Sequence, residues 1–140
     1  MMKLKKFFLP MVAILLLAVG CRPDPIVPHV EASYYEIQPY QWQVNAGNTF
    51  YFVECNCPQI TKAVIEQGII NVYYIDQYGY DNQLPYVIPY FNDDNELFWE
   101  NLRYDVGEGK VTFILQESDL YTGLEILRTY KFKVATVSPR

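Results

Sequence analysis

The stretch RTYKFKVATV, residues 128–137, alternates apolar and polar side chains with a period of two. Tyr130, Phe132 and Val134 fall on one side of an extended chain, and the two lysines fall on the other. This pattern is typical of a β-strand with one buried face and one solvated face. KVTFILQES, residues 110–118, repeats the alternation and predicts a second strand of the same kind.

Further runs of aromatic and β-branched residues, separated by turn residues, fill the rest of the domain and are typical of strands. They are EASYYEIQ (31–38), YQWQV (40–44), TFYFVEC (49–55), IINVYYID (69–76), LPYVIPYF (84–91) and LFWENLRYDV (97–106). Seven or eight short strands with few helical segments predict an all-β domain over residues 31–138. We expect an antiparallel sandwich, with a closed barrel as the alternative. Pro85 and Pro89 predict that their strand lies at an edge or contains a bulge.

One short helix is expected between these strands, at about residues 58–67. Pro58 suits the first helical position, where a missing N–H costs no hydrogen bond. Ile60 and Val64 lie at helical spacing, and Gly68 can adopt the left-handed conformation that ends a helix. Because so short a helix is marginal alone, we expect it to pack over an open end or edge of the sandwich.

Residues 1–21 differ in pattern from the rest of the chain. A short basic start precedes an apolar run over residues 7–19, which is too short to span a bilayer. The run ends in AVGC, residues 18–21, and small residues before a cysteine resemble a lipobox. We predict that residues 1–20 are a bacterial lipoprotein signal peptide that is removed, that Cys21 carries palmitate and other acyl chains, and that proline-rich residues 21–30 form an extended tether. An ordinary secretory peptide is the alternative.

The charge balance limits the classes of partner that the protein can bind. All sixteen acidic residues, but only eight of the eleven basic residues, lie beyond the signal peptide, so the mature chain carries a net charge of −8. Such a surface disfavours nucleic acid and is repelled by anionic lipid headgroups. We therefore expect membrane attachment through the lipid at Cys21, in an outer-membrane lipoprotein that faces either the periplasm or the cell surface.

Two cysteines follow each other closely in VECNC, residues 53–57. Two residues of a strand advance about 6.6 Å, near the limit for a disulfide, so a bond between Cys55 and Cys57 requires a bend, which Pro58 favours. An exported compartment permits such a bond. The interpretation that we prefer is two small, partly buried side chains at a strand end. Zinc needs four ligands and only His29 accompanies these thiols, so we predict no metal site and no cofactor.

Tyrosine occurs thirteen times, and not all aromatic rings fit inside one small sandwich. Trp42, Tyr78, Tyr80 and Trp99 are therefore candidates for a ligand platform, because exposed flat rings stack on sugars and mark protein contacts. Tyr78 and Tyr80 flank Gly79 in QYGYDNQ, at a loop tip where binding residues often lie. The alternative is that these rings reflect only the preference of tyrosine for strands and cores.

Catalytic motifs are missing from the sequence. The chain has one histidine, His29, in the predicted tether, and no serine has a neighbouring base in a recognisable motif. No pair of carboxylates is singled out as a glycosidase pair would be. We therefore predict that the protein is not an enzyme.

Four segments stand out: ITKAVIEQGIINVYY (60–74), LPYVIPY (84–90), GKVTFILQESD (109–119) and TYKFKVATV (129–137). Together they resemble a family of small, Bacteroides-type lipoproteins of Bacteroidota. The likeness covers most of residues 49–137, and its motifs are structural rather than catalytic. It implies an immunoglobulin-like sandwich and supplies no active-site residues. We expect a lipid-anchored binding or structural module that contacts an envelope protein or a glycan. The alternatives are a glycan-binding accessory lipoprotein that uses the exposed tyrosines and, ranked below it, a small hydrolase.

Overall fold

The computed structural model describes residues 27–120, 122–123 and 126–138, so the predicted signal peptide, Cys21 and most of the tether lie outside it. The described chain contains nine strands, one α-helix and a 3-10 turn at Pro39–Gln41. The strands are β1 (His29–Ile37), β2 (Gln43–Val44), β3 (Tyr51–Asn56), β4 (Ile69–Ile75), β5 (Asp81–Gln83), β6 (Tyr86–Phe91), β7 (Leu97–Gly107), β8 (Lys110–Glu117) and β9 (Tyr130–Ser138). The helix, α1 (Lys62–Gln67), connects β3 to β4.

The strands form two sheets in which all neighbouring strands are antiparallel. Sheet A has the order β1-β9-β4-β5, and sheet B has the order β2-β3-β8-β7-β6. The predicted all-β antiparallel sandwich is confirmed, whereas a closed barrel is wrong because both sheets end in edge strands. The strand that the prediction lacked is β5, whose three residues lie in a stretch expected to be a turn. The first strand also begins at His29, two residues inside the predicted tether.

The core lies between the sheets and is built from the alternating positions. Phe113 and Leu115 of β8 are buried, as are Phe132 and Val134 of β9. The rings of Phe113 and Phe132 stack with centroids 4.1 Å apart. Since β8 belongs to sheet B and β9 to sheet A, this contact joins the two layers. Burial of one such side chain contributes about 1.5–3 kcal/mol.

The helix begins four residues later than predicted. Thr61 is its N-cap, and the Thr61 hydroxyl oxygen accepts a hydrogen bond from the backbone N–H of Val64 at 3.2 Å. Pro58 lies in a turn instead, because the backbone on both sides of it is hydrogen-bonded to Gly109. The Cys57 N–H donates to the Gly109 carbonyl oxygen at 2.8 Å, and the Gly109 N–H donates to the Ile60 carbonyl oxygen at 2.7 Å. The helix packs on β4 and β9, the two inner strands of sheet A, and buries Val64. Within the described ranges, no helix has the length and apolarity that crossing a membrane requires.

Gly68 ends the helix for a reason that differs from the prediction. Its φ is −98°, which is extended rather than left-handed. A Cβ at this position would lie 2.5 Å from the carbonyl oxygen of Val137 and 2.8 Å from that of Val64. Glycine is therefore required by the close approach of β9, not by the backbone conformation.

The proline-containing strand β6 lies at an edge of sheet B, as predicted. Pro89 pairs with Trp99 of β7 in the strand register, and Pro85 precedes the strand. Proline has no N–H to donate, so Pro89 interrupts the row of donors that this edge would otherwise offer to another strand.

Candidate functional site

The inner face of the sandwich turns from apolar to polar at the end where β8 stops. The inward positions of β8 run through Val111, Phe113 and Leu115 to Glu117. Glu100 of β7 lies directly opposite Glu117 in the strand register, and its side chain is only 15% exposed. Like charges in facing positions destabilise a sheet, so this pair requires compensation from its neighbours.

Hydrogen bonds hold both carboxylates. The Tyr130 hydroxyl donates to Oε2 of Glu100 at 2.8 Å, and the Arg128 guanidinium forms an ion pair with the same oxygen. The Tyr90 hydroxyl donates to Oε2 of Glu117 at 2.6 Å. Arg128 also covers the ring of Tyr130, with Cζ 4.7 Å from the ring centroid. Glu100 therefore has a cationic partner, whereas Glu117 receives a bond from a neutral hydroxyl.

The pKa values of this network follow from burial and from these partners. Burial raises the pKa of Glu117 and the charge of Glu100 adds to the effect, while the hydrogen bond from Tyr90 opposes it. Burial is also the main reason that the pKa values of Tyr90 and Tyr130 are raised. Burial works against the charge of Arg128, but Tyr130 and Glu100 outweigh it and raise the pKa of Arg128. Arg128 is thus held charged, and Glu117 is easier to protonate than an ordinary glutamate.

This network lines an open depression of about 360 Å³. We call it the carboxylate depression and define it by Tyr90, Glu100, Glu117, Arg128 and Tyr130. Its volume falls within the range of about 300–1,000 Å³ that is usual for small-molecule sites. The described chain thus carries a concave surface where carboxylates, hydroxyls and a guanidinium converge.

A second depression of about 440 Å³ adjoins the first at Arg128, which lines both. We call it the tyrosine depression, defined by Tyr74, Tyr78, Tyr86 and Arg128, and the two together the inter-sheet cleft. The rings of Tyr74 and Tyr86 stack with centroids 6.0 Å apart and planes at 29°. Tyr74 belongs to β4 of sheet A and Tyr86 to β6 of sheet B, so these rings meet across the two layers.

The predicted platform residues Tyr78 and Tyr80 lie in the turn between β4 and β5, where they are 76% and 69% exposed. Asp76 holds this turn, since its Oδ1 accepts the backbone N–H of Tyr78 at 3.0 Å and that of Tyr80 at 2.9 Å. These bonds, that of Tyr80 first, lower the pKa of Asp76. Gly79 has a φ of +84°, which favours glycine. Tyr78 lines the tyrosine depression, whereas Tyr80 lies outside its lining.

The two tryptophans lie elsewhere. Trp42 is half-buried and packs edge-to-face on Tyr130, with centroids 5.5 Å apart. Its Nε1 is buried and lacks a hydrogen-bond partner among the described residues. Trp99 is 45% exposed on the outer face of sheet B, opposite Pro89. The four predicted rings therefore do not form one surface, and of these rings only Tyr78 contributes to the cleft lining.

Both cysteines of the domain are free thiols. They continue the inward positions of β3, with Cys57 buried and Cys55 half-buried, and burial raises the pKa of Cys55. Such thiols pack as small apolar side chains, which is the interpretation that the sequence favoured over a disulfide. In the ranges that the structure covers, no three His, Cys, Asp or Glu side chains are grouped to hold a metal ion. Cys21, the predicted lipidation site, lies outside the described residues.

Sequence reasoning missed Glu100, Glu117 and Arg128. A signal for the two acids exists, because the inward series of β8 continues from Leu115 to Glu117 and that of β7 from Leu102 to Glu100. An acid at an inward position is informative, since burial of a charge is costly unless it is paired. Arg128 gives no such signal because it precedes the first residue of β9.

Comparison with known proteins finds no family model, no curated protein and no solved structure that matches this chain. The resemblance to lipoproteins of Bacteroidota therefore stays a prediction, as do the lipid anchor and the outer-membrane localisation. Function has to be inferred from the geometry of the inter-sheet cleft and from the N-terminal sequence.

Proposed function

We propose that this chain is a lipid-anchored protein of the bacterial outer membrane that acts as a non-catalytic binding module for a glycan. The observation that carries the proposal is the inter-sheet cleft, where tyrosine rings and hydrogen-bonding charges line one open surface. Binding sites are typically concave, with apolar or aromatic walls and a few convergent polar groups. Of the ligands expected from the sequence, a glycan fits this surface better than a flat protein contact does.

The chemistry of the cleft suits a sugar chain. A sugar ring offers an apolar face to an aromatic ring and hydroxyl groups to polar side chains. Tyr74, Tyr78 and Tyr86 supply rings in the tyrosine depression, and Arg128 supplies donors where the two depressions meet. Charged partners make stronger hydrogen bonds than neutral ones, so Arg128 and Glu117 would orient a bound saccharide.

The position of the cleft supports an anchored binder. The predicted tether joins the domain at His29, which pairs with Ser138 at one end of β1. Tyr130, in the carboxylate depression, pairs with Ile37 at the other end of the same strand. Eight residues of strand separate the two ends by about 27 Å. The cleft therefore lies at the end of the sandwich away from the proposed lipid at Cys21.

A glycan array tests the binding function, with the purified protein held in a mild detergent. Tyr78→Ala should weaken the binding of array glycans about tenfold through the loss of one stacking ring. Tyr80→Ala is the matched control, because Tyr80 is equally exposed on the same turn but lies outside the cleft lining. Equal effects of the two substitutions, or no bound glycan at all, would refute the proposal.

The anchor has its own test in cells that are fed labelled palmitate. The wild-type chain should take up the label and the Cys21→Ser variant should not. Label on both proteins, or on neither, would exclude Cys21 as the attachment site.

A small hydrolase is the second candidate, favoured by the facing pair Glu100 and Glu117. Facing residues have Cβ atoms about 4.5–5.5 Å apart, and retaining glycosidases hold two carboxyl groups about 5–5.5 Å apart. Against this, Glu100 is engaged by both Arg128 and Tyr130. Release of shorter sugars from an array glycan, lost in Glu117→Gln while binding persists, would replace the binding module by the enzyme.

A further inference from the structure

The carboxylate depression already holds one cation in a defined way. The guanidinium of Arg128 pairs with the Glu100 carboxylate and lies 4.7 Å from the centroid of the Tyr130 ring. A carboxylate and an aromatic ring together are the groups that hold a cation in a partly desolvated site. The depression thus already holds a cation from its own chain with this combination of groups.

Glu117 and Tyr90 supply the same two groups without the cation. Glu117 is half-buried, and the hydrogen bond that its carboxylate accepts comes from Tyr90. Among the residues that the structure describes, no Lys or Arg forms an ion pair with Glu117. A half-buried carboxylate without an ion pair is costly: burial and the charge of Glu100 raise the pKa of Glu117, and the nearby charge of Arg128 opposes this only in part. A cation that entered the depression would offset that cost.

We infer that the carboxylate depression binds the ammonium group of an amino sugar, with Glu117 as the counter-charge and Tyr90 beside it. The inference rests on the proposed function and names the class of glycan that the cleft takes. The charged sugar occupies the smaller depression, and the next sugar of the chain reaches past Arg128 to the rings of Tyr74 and Tyr86. The acidic mature chain also attracts a cationic ligand at long range.

A sugar fits the cleft better than a lysine side chain of a protein. A lysine would use the carboxylate depression and leave the adjoining tyrosine depression empty. Two depressions that meet at Arg128, one with a carboxylate that forms no ion pair and one with stacked aromatic rings, match a chain of sugar rings that carries an amino group.

Calorimetric titration of the full chain with two tetrasaccharides tests the inference. The probes are a glucosamine tetramer and its fully N-acetylated counterpart, which share length and linkage and differ in charge. With the amines protonated, we expect the glucosamine tetramer to bind about tenfold more tightly. Glu117→Gln should bring the two affinities to within about twofold of each other, because the amide keeps the shape and removes the charge. Circular dichroism and thermal unfolding verify that this variant folds.

Glu108→Gln is the control for general attraction to an acidic protein. Glu108 is exposed in the turn between β7 and β8, at the far end of β8 from Glu117, and its removal changes the net charge equally. This variant should keep the full preference for the amine.

Three results would overturn the inference. The wild-type protein could bind the two tetramers with equal affinity, or its preference for the glucosamine tetramer could persist in Glu117→Gln. Oligolysine could also bind in a way that depends on Glu117 as strongly as the glucosamine tetramer does. Equal binding of both tetramers that Tyr78→Ala weakens would leave the glycan-binding function intact and remove only the ammonium site. Failure of both tetramers and of every array glycan would remove both.

Discussion

Replacement of Gly68 by alanine tests the close approach of α1 to β9. The added Cβ would lie 2.5 Å from the carbonyl oxygen of Val137 and 2.8 Å from that of Val64, whereas ordinary contacts lie at 3.4–4 Å. Both obstacles are backbone atoms, so the helix or the strand has to shift. Overpacking of this kind costs about 1–3 kcal/mol, and the reduced freedom of the unfolded chain returns about 0.4–1 kcal/mol. We expect Gly68→Ala to lower the free energy of unfolding by about 1–2 kcal/mol.

Urea unfolding of the full chain, followed by tryptophan fluorescence, measures this change. Gly47→Ala is the matched control, because the nearest atom to its added Cβ is a side-chain nitrogen of Asn45 at 3.4 Å and its φ is not left-handed. The control should change stability by less than about 0.5 kcal/mol. If Gly68→Ala were as stable as Gly47→Ala, the helix could not lie as close to β9 as described.

Three further substitutions test the core, the helix cap and the carboxylate pair. Phe113→Ala should lower the free energy of unfolding in urea by about 3–5 kcal/mol. Phe91→Ala is the control: Phe91 is 66% exposed, and its replacement should lower that free energy by less than about 0.5 kcal/mol. Similar decreases would mean that the two sheets do not stack as described. Thr61→Ala should lower the free energy of unfolding by about 1 kcal/mol, and Thr61→Ser should lower it much less. Equal decreases would exclude Thr61 as the N-cap of α1. Because the pKa of Glu117 is raised on folding, its contribution to stability is full below the unfolded-state pKa and is lost as the pH rises through the folded-state pKa. Glu117→Gln should therefore raise the free energy of unfolding at neutral pH by about 0.2–1 kcal/mol and reduce its change with pH between these two pKa values. A lower free energy of unfolding at neutral pH would show that the Glu117 carboxylate stabilises the fold instead.

The strands could be predicted from the sequence because burial imposes an alternation that a single strand displays by itself. The inward series of β8 and β9 were identified in this way, and the position of β6 at an edge followed from the chemistry of proline. The start of α1 could not be predicted in the same way. Pro58 is compatible with a first helical position, but the backbone around it is bonded to Gly109, which lies about fifty residues further along the chain.

The candidate site depends on relations between distant segments, and these are not written in any one of them. Glu100 and Glu117 face each other only because of the register between β7 and β8. Trp42 looks like a displayed ring in the sequence, yet it packs on Tyr130. Composition therefore predicted an aromatic surface, whereas the pairing of the two carboxylates and the position of Arg128 beside them emerged only from the fold.

The two ends of the sandwich solve the same physical problem differently. At the end near the tether, apolar side chains close the inner face of the sandwich, and Cys57 and Ile60 are fully buried beside α1. Apolar side chains at the other end would give at least equal stability, since replacement of buried charges by apolar groups is often neutral or stabilising. That end instead carries Glu100 and Glu117 in facing positions, an arrangement that costs stability and lies open to solvent between tyrosine rings. Local features that oppose stability are most readily explained by function. We therefore propose that the open end, rather than the exposed tyrosines as a group, is the part of this protein that would bind a ligand.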